Sequence, residues 1–269
     1  MPDSFKIYVI SLVDAVYRRE NLKEKMQSLS LPYEIIDGVD GRALTPKEYP
    51  HYDRSKRLWL FGRDLKGGEI GCLLSHKAAL LRVAQDNQPA LILEDDVALS
   101  PAIIPVIQQL LKTEYKWGLI RFLGSAKSQI IRQRTVLKLE QGYTVNRIAT
   151  SPGGAYAYLV TPSGAKALLR HLNKVAYPID TIMGRPWQTG LSVLSVKPAL
   201  ARQDEAIDSM IGDQRFSKSL DIRGLKAICF PVVRAGFRFV DSLLKRFIYW
   251  GSWPYDRFIC YQMQKRIKE

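Results

Sequence analysis

The pattern of apolar and polar residues predicts strands that alternate with helices over most of the chain. Apolar runs typical of buried strands occupy residues 6–12, 33–37, 90–94, 117–123 and 155–160. Apolar residues recur at helical spacing over residues 14–29, 69–84, 101–112 and 162–172. Strands separated by helices indicate an α/β fold, in which ligands bind beyond the carboxyl ends of the strands.

Two stretches lack this alternation. Residues 37–66 are polar and rich in turn formers, which predicts a loop, and residues 125–149 have a shorter, β-like pattern. Asp14 is expected to cap the first helix. Thr161, followed by Pro162 at the first helical position, is expected to cap the helix over 162–172.

One apolar run ends in three consecutive carboxylates, Glu94-Asp95-Asp96. Adjacent carboxylates repel one another and lose hydration at the end of a buried strand, unless a cation or strong donors compensate. A hard, oxygen-preferring divalent ion, Mg²⁺ or Mn²⁺, fits this arrangement best. The other interpretation is a strand followed by a solvated acidic turn.

Composition allows one large domain or one domain with an appendage. The chain has 269 residues, of which 46% are hydrophobic, and a formal net charge of +14. That charge predicts attraction to a polyanion, which could be nucleic acid, an anionic membrane or a phosphorylated glycolipid. Composition alone does not choose among them.

The cysteines and the N-terminus are consistent with a reducing cytoplasm. Cys72, Cys229 and Cys260 are widely spaced, which indicates neither a disulfide framework nor a zinc site. The apolar stretch over 7–13 is closed by Asp14 and followed by no small-residue cleavage site. We therefore expect a first strand there, not a secretion signal.

The composition changes beyond about residue 220, where cations mix with apolar and aromatic residues and only a few acids remain. This mixture is typical of a helical segment that lies on an anionic membrane. The alternative is a helix docked on the main domain with its cations in water. No run approaches the roughly 18 apolar residues of a membrane-spanning helix.

Several sequence blocks occur in an order that resembles glycosyltransferase family 25, which includes bacterial lipooligosaccharide galactosyltransferases and collagen galactosyltransferase domains. The resemblance covers about residues 5–210. The blocks are Ile10-Ser11-Leu12 with Arg18-Arg19 downstream, Asp37-Gly38-Val39-Asp40-Gly41, Gly68-Glu69-Ile70-Gly71-Cys72-Leu73-Leu74-Ser75-His76, Leu93-Glu94-Asp95-Asp96, Gly153-Gly154-Ala155-Tyr156 and Pro178-Ile179-Asp180.

The resemblance implies a GT-A-like fold, with a nucleotide-binding mixed sheet flanked by helices. We expect this domain over residues 1–220 and a basic, amphipathic helical extension over 221–269. The acidic motif is expected to hold Mn²⁺ (or Mg²⁺) that bridges the phosphates of a sugar nucleotide. Glu94 and Asp96 are the predicted metal ligands, and Asp95 is placed nearer the ribose.

The same resemblance supplies the predicted donor-binding residues, which are Ser11, Leu12, Arg18, Glu69, Ser75, His76 and Asp95. Free N–H groups at the helix start near Gly68 would favour phosphate. The alternative interpretation is structural, with a tight turn at Gly67-Gly68, Glu69 as a helix cap and His76 as a partly buried structural histidine.

Family members that form β-linkages from α-linked nucleotide sugars invert the anomeric centre, so a carboxylate must accept the proton of the attacking hydroxyl. Asp180 is the predicted base; it could instead be a distal metal ligand or a helix cap. Gly153, Gly154 and Tyr156 are predicted to contact the acceptor sugar, although packing would equally explain the tyrosine. A second acidic cluster, Asp204, Glu205 and Asp208, is expected to be on the surface.

The resemblance thus predicts an inverting, metal-dependent transferase that moves galactose from UDP-galactose to a lipooligosaccharide acceptor. It would act as a peripheral protein on the inner face of the bacterial cytoplasmic membrane, with no nucleic-acid partner. UDP-glucose is the alternative donor. Two different functions compete with this prediction: a sugar nucleotidyltransferase, which releases pyrophosphate, and a non-enzymatic protein that binds a polyanion or membrane.

Overall fold

The computed structural model describes residues 4–28, 31–42, 44–123, 132–150, 153–203 and 220–268, with side chains described except at 28, 48 and 262–268. The strands are, in chain order, β1 (Lys6–Ser11), β2 (Glu34–Asp37), β3 (Ala90–Glu94), β4 (Val97–Leu99), β5 (Leu119–Arg121), β6 (Gln133–Lys138), β7 (Thr144–Ile148), β8 (Ala157–Val160), β9 (Leu194–Lys197) and β10 (Ala201–Gln203). The helices are α1 (Val16–Ser28), α2 (Arg54–Phe61), α3 (Gly67–Asp86), α4 (Ile103–Lys112), α5 (Pro162–Leu169), α6 (Ile179–Met183), α7 (Pro186–Thr189), α8 (Leu225–Gly251) and α9 (Trp253–Lys268). Short 3-10 turns lie at Pro46–Glu48 and Glu140–Gly142.

Within the described part of the chain, eight strands form one mixed sheet in the order β2-β1-β3-β8-β5-β9-β7-β6. β1 runs parallel to β2 and β3, whereas β8 runs antiparallel to its neighbours β3 and β5. The carboxyl ends of β1, β3 and β5 therefore meet the start of β8 at one edge. β4 and β10 form a separate antiparallel pair.

Both faces of the central strands are buried. Val9, Leu91 and Leu93 point into one hydrophobic cluster, which also takes residues of α1 and α4. Tyr8 and Ile92 point into a second cluster on the opposite face, with residues of α3 and α5. Side chains alternate between faces along a strand, so two covered faces require continuous apolar runs. This is why the sequence pattern located β1 and β3 closely.

The predicted α/β class is confirmed, and the mixed sheet flanked by helices is compatible with a GT-A-like fold. Thr161 caps α5 as predicted, since its hydroxyl accepts a hydrogen bond from the Gly164 N–H at 3.0 Å. Asp14 was wrongly predicted as a cap: α1 begins at Val16, and Asp14 pairs with Arg42 instead.

The prediction of a loop over residues 37–66 is wrong where α2 forms. Asp53 caps this helix by accepting a hydrogen bond from the Lys56 N–H at 3.1 Å. Gly62 ends it in the left-handed conformation, with φ of 71°. The two buried residues of α2 are Arg57 and Leu58, so a buried arginine conceals the apolar face from pattern analysis.

The C-terminal extension is helical, as predicted, and α8 packs on α2 and α7. The Arg234 guanidinium donates a hydrogen bond to the Leu60 carbonyl at 2.6 Å. Arg185 lies against the rings of Tyr177 and Phe237 and pairs with Asp241 of α8 at 3.2 Å. The domain boundary at residue 220 stays a prediction. None of the described helices is both long enough and apolar enough to span a membrane.

α9 is fastened to the sheet by Asp256, whose carboxylate is buried. The Arg147 guanidinium of β7 donates two hydrogen bonds to this carboxylate, at 2.8 and 2.9 Å. Arg134 of β6 also pairs with it, and the Tyr115 hydroxyl lies 3.3 Å away. One acid of the extension thus pairs with cations of two neighbouring strands.

Candidate active site

Three segments converge beyond the carboxyl ends of β1 and β3. They are the acidic motif Glu94-Asp95-Asp96, the end of β1 at Ser11 and the segment before β8. The chain leaves β3 at Glu94 and turns through Asp95 and Asp96 directly into β4. The Glu94 N–H donates a hydrogen bond to the Tyr156 carbonyl at 2.9 Å, which joins the segment before β8 to the acidic motif. The three carboxylates then take different environments.

Asp95 is buried and already has donors for both oxygens. The Ser11 hydroxyl donates to Oδ2 at 2.6 Å, and the Arg18 guanidinium donates to Oδ1 at 2.9 Å. These contacts join the end of β1, the first turn of α1 and the acidic motif. Asp95, Ser11 and Arg18 were predicted as donor-binding residues, and the structure brings them together; contact with a donor stays a prediction.

Glu94 faces α3. Its carboxylate lies 3.3 Å from Nε2 of His76, whose Nδ1 lies 3.0 Å from the Tyr158 hydroxyl of β8. His76 and Tyr158 are fully buried, whereas Glu94 is partly exposed. The observed contacts of His76 therefore fit its structural interpretation, because the buried imidazole positions the Glu94 carboxylate of the acidic motif.

Asp96 differs from the other two carboxylates because one of its buried oxygens has no hydrogen-bond partner among the described residues. Its side chain is 7% exposed, and its Oδ1 has no hydrogen-bond partner. Burial, and after it the negative charges of Glu94 and Asp95, together raise the pKa of Asp96 to about 6. A buried, unpaired carboxylate oxygen beside two more carboxylates fits a divalent cation. This arrangement supports the predicted metal role of Asp96, which stays a prediction.

Asp180 lies at the glycine pair before β8. Its carboxylate accepts hydrogen bonds from the N–H of Gly154 at 3.0 Å and of Thr181 at 2.6 Å. Asp180 is not the N-cap of α6, because it lies in the first turn of the helix and Pro178 occupies the cap position. The buried Arg121 at the end of β5 donates to the Gly154 carbonyl.

The Cys72 thiol of α3 lies in the field of several of these carboxylates. Desolvation raises the pKa of Cys72 well above its usual value, and carboxylates raise it further, in the order Glu94, Asp180, Glu69 and Asp96. The charges of the predicted metal ligands and of the predicted base thus act on the same thiol of α3.

The start of α3 is closed by backbone packing. A Cβ added to Gly67 would lie 2.1 Å from the Gly41 carbonyl oxygen, and one added to Gly71 would lie 2.6 Å from the Val39 oxygen. The Glu69 carboxylate accepts a hydrogen bond from the Lys66 N–H at 2.8 Å, which is the carboxylate half of a capping box, and the Glu69 N–H donates to the Lys66 carbonyl at 3.0 Å. Its structural interpretation as a cap thus describes the observed contact.

Ser75 also joins α3 to the loop that contains Val39 and Gly41. Its hydroxyl accepts a hydrogen bond from the Val39 N–H at 2.8 Å and donates to the Gly71 carbonyl at 2.7 Å. Both of these contacts of the Ser75 hydroxyl are with backbone groups of the protein. Donor contact by Glu69 or Ser75 stays a prediction.

The family follows from comparison with known proteins. A family model described as "Glycosyltransferase family 25 (LPS biosynthesis protein)" matches residues 4–183, which include the whole acidic motif and Asp180. The chain belongs to glycosyltransferase family 25.

Relatives of this family 25 chain include a protein named as a galactosyltransferase and one named as probably inactive. A "Glycosyltransferase 25 family member" of Anopheles gambiae is 31% identical over 189 residues, which cover 65% of this chain and 30% of the relative. "Procollagen galactosyltransferase 1" of Danio rerio is 26% identical over 227 residues, with 72% and 35% covered. "Probable inactive glycosyltransferase 25 family member 3" of Rattus norvegicus is 25% identical over 219 residues, with 73% and 37% covered. The chain thus spans about a third of the length of these relatives.

The remaining predicted residues of this family 25 chain have mixed surroundings. The Leu12 carbonyl accepts from Arg19 at 2.9 Å, which fixes the turn after β1. The Tyr156 ring is buried in the hydrophobic core, so acceptor stacking would require it to leave that packing. Gly153 adjoins Asp180. Asp204, Glu205 and Asp208 lie outside the described residues.

Sequence reasoning missed Tyr158 at this edge and did not place Arg121 beside the glycine pair. Arg121 is a buried cation whose pKa is lowered to about 10, mainly by desolvation, while Asp180 opposes that shift. Tyr158 orients His76. Both lie inside apolar strand patterns, where they look like ordinary strand residues. The available signal was their position at the strand edge opposite the acidic motif, which requires the strand order.

Proposed function

We propose that the protein is an inverting, metal-dependent glycosyltransferase that moves galactose from UDP-galactose to a lipooligosaccharide acceptor. The observation that carries the proposal is the buried Asp96, with its unpaired oxygen and raised pKa at the end of β3. Family membership supports the transferase class. The galactosyl donor rests on relatives named procollagen galactosyltransferase, and the acceptor class on the description of the family as an LPS biosynthesis protein.

In this proposal, Asp96 and Glu94 would hold Mn²⁺ or Mg²⁺. The cation would supply positive charge that stabilises the leaving UDP without a proton transfer. Arg18 and Ser11 hold Asp95 in place, so that the motif keeps its shape when the donor arrives. The sugar then lies beyond the strand edge, near Asp180.

Asp180 serves as the base of the proposed reaction. The acceptor hydroxyl oxygen attacks the anomeric carbon, its proton passes to the Asp180 carboxylate, and the bond to UDP breaks from the opposite side. The N–H groups of Gly154 and Thr181 hold this carboxylate in one orientation. A base must lie within hydrogen-bond reach of the acceptor, and Gly153 puts no side chain beside the Asp180 carboxylate.

The test measures UDP release from UDP-galactose and UDP-glucose, with and without Mn²⁺, in the presence of lipooligosaccharide. We expect metal-dependent release from UDP-galactose, and Asp180→Asn to lower kcat by about 10²–10⁴-fold with an unchanged donor KM. Preference for UDP-glucose would overturn the donor. Pyrophosphate release from UTP and a sugar phosphate would instead identify a nucleotidyltransferase.

The proposed acceptor is a lipid-linked sugar, and α8 supplies a surface for an anionic membrane. Seven large apolar residues lie three, four or seven positions apart on its outer face, all more than half exposed. This outer stripe consists of Leu225, Ile228, Val232, Phe239, Leu243, Phe247 and Trp250. At 1.5 Å per residue, it extends for about 37 Å.

The charges beside the outer stripe indicate which kind of membrane surface it would bind. Exposed Arg223, Arg238 and Arg246 accompany it, while the one acid of α8, Asp241, is paired with Arg185 and Lys245. Apolar burial and cations together favour an anionic bilayer over a neutral one, at about 1 kcal/mol per cation near the surface. We propose that the protein acts as a peripheral protein on the inner face of the cytoplasmic membrane.

Vesicle cosedimentation tests this placement. We expect binding to phosphatidylglycerol vesicles, weaker binding at high salt and little binding to phosphatidylcholine. Phe239→Asp combined with Phe247→Asp should reduce binding at least about tenfold, because two anchors are lost and two negative charges are added. Leu81→Asp, at an exposed apolar residue of α3, is the matched control. A folded double variant that binds as well as the unmodified protein would contradict the proposal.

A further inference from the structure

Cys72, His76 and Glu94 form a compact cluster of three different metal-binding groups. Cys72 and His76 lie one turn apart on α3, and Glu94 ends the adjacent β3. One ligand atom from each lies within 4.8 Å of the other two. The cysteine spacing gave no sign of a zinc site, because two of the ligands are not cysteines and one comes from a separate strand.

The histidine is already oriented as a ligand. Its Nδ1 lies 3.0 Å from the Tyr158 hydroxyl, which leaves Nε2 pointing at Glu94, 3.3 Å away. Metal-bound histidines commonly have such a partner on the other ring nitrogen, which fixes the ring and its tautomer. A cation at Nε2 requires the proton on Nδ1, donated to the Tyr158 oxygen.

A cation can reach this cluster from solvent. His76 is buried, but Cys72 and Glu94 both keep part of their surface exposed. The partly exposed Glu94 carboxylate therefore forms the open side of the cluster, and the imidazole and the desolvated thiol form its inner side. A fourth ligand position would face outward, where water can occupy it.

We propose that Cys72 Sγ, His76 Nε2 and a Glu94 oxygen bind a thiophilic divalent cation of the zinc class. Zinc bonds of about 2.0–2.3 Å at tetrahedral angles put ligand atoms roughly 3.3–3.8 Å apart, so small side-chain rotations suffice. The thiol releases its proton to solvent on binding, and the thiolate and carboxylate then balance the two positive charges. Mn²⁺ and Mg²⁺ prefer oxygen ligands and are weak competitors at sulfur.

One consequence rests on the proposed function. Glu94 precedes Asp96 by two residues, so a cation that captures Glu94 removes a carboxylate from the proposed donor site. We expect zinc to inhibit Mn²⁺-supported turnover, with Cys72→Ser resistant to that inhibition. The binding itself does not depend on this consequence.

The experiment titrates the intact, reduced protein with Co²⁺ and follows thiolate-to-cobalt absorption in the near ultraviolet, then displaces the cobalt with Zn²⁺. We expect one equivalent to bind. Cys72→Ser should remove the absorption band, and His76→Gln should weaken Zn²⁺ binding about 100-fold or more. Tyr158→Phe should weaken binding about tenfold, since it removes only the partner of the imidazole.

Matched variants keep the result interpretable. Cys229→Ser and His171→Ala replace the same residue types elsewhere and should bind cobalt as the unmodified protein does. Asp96→Asn should also keep the band, because Asp96 is outside the cluster. Absence of the band in the unmodified protein, or its persistence in folded Cys72→Ser, would overturn the proposal. Either result would leave the proposed transferase activity untouched.

Discussion

We expect Asp96→Asn to lose metal-supported UDP release by about 10²–10³-fold while the protein remains folded. The substitution keeps the shape of the side chain but removes the charge that a divalent cation needs. Turnover assays over a Mn²⁺ series measure the loss. Glu20→Gln, at an exposed carboxylate of α1, is the control and should be unaffected. Unchanged turnover in Asp96→Asn would contradict the proposed metal site.

The same variant should be more stable than the unmodified protein when no metal is bound. Burial and two neighbouring acids raise the pKa of Asp96 from 3.8 to about 6. The stability that comes from protonating this group is thus fully present below about pH 4 and lost as the pH rises through about 6. At pH 8 the neutral amide avoids that loss, which amounts to about 3 kcal/mol.

Urea unfolding in chelator measures this gain. The difference in free energy of unfolding between Asp96→Asn and the unmodified protein should be near zero at pH 4 and largest at pH 8. An equal difference at both pH values would mean that the carboxylate charge is not its cause. A site that is strained without its ligand is common where function requires buried charge.

The largest loss of stability is expected at Asp256. Asp256→Ala leaves Arg134 and Arg147 without their shared carboxylate in a buried position. Removing one partner of a buried ion pair typically costs about 3–5 kcal/mol, since the remaining charge stays uncompensated. Urea unfolding at pH 7 measures the change.

Arg257→Ala is the neighbouring control for this prediction. Arg257 is exposed, and its guanidinium contacts the ring of Trp253. An exposed substitution of this kind usually changes stability by only about 0.5 kcal/mol. If Asp256→Ala cost no more than Arg257→Ala, the buried network would not be what holds α9 to the sheet.

Local sequence signals located the elements that are buried on both faces or capped in a standard way. β3 was predicted at its observed bounds, and Thr161 marked the start of α5. The sequence pattern did not predict α2, because Arg57, a charged residue, occupies the buried side of this helix. The position of β8 between β3 and β5 was also out of reach, because strand order depends on contacts between distant segments.

For the candidate site, the sequence located the acidic motif but not the different surroundings of its three carboxylates. Asp95 is held by Ser11, which is 84 residues away along the chain, and Glu94 is approached by His76 of a different element. The environment that distinguishes Asp96 is the lack of such a partner on Oδ1. These distinctions arise only when the strand edge and α3 are packed together.

The Asp256 network also bears on how the chain can be shortened. Cutting at residue 220 would remove the basic extension, yet it would leave two arginines of β6 and β7 facing a surface from which their counter-charge had gone. The rings of Tyr177 and Trp187, now covered by Arg185 and α8, would be opened to water by the same cut. A soluble catalytic fragment therefore needs replacements at those positions, not only a new terminus.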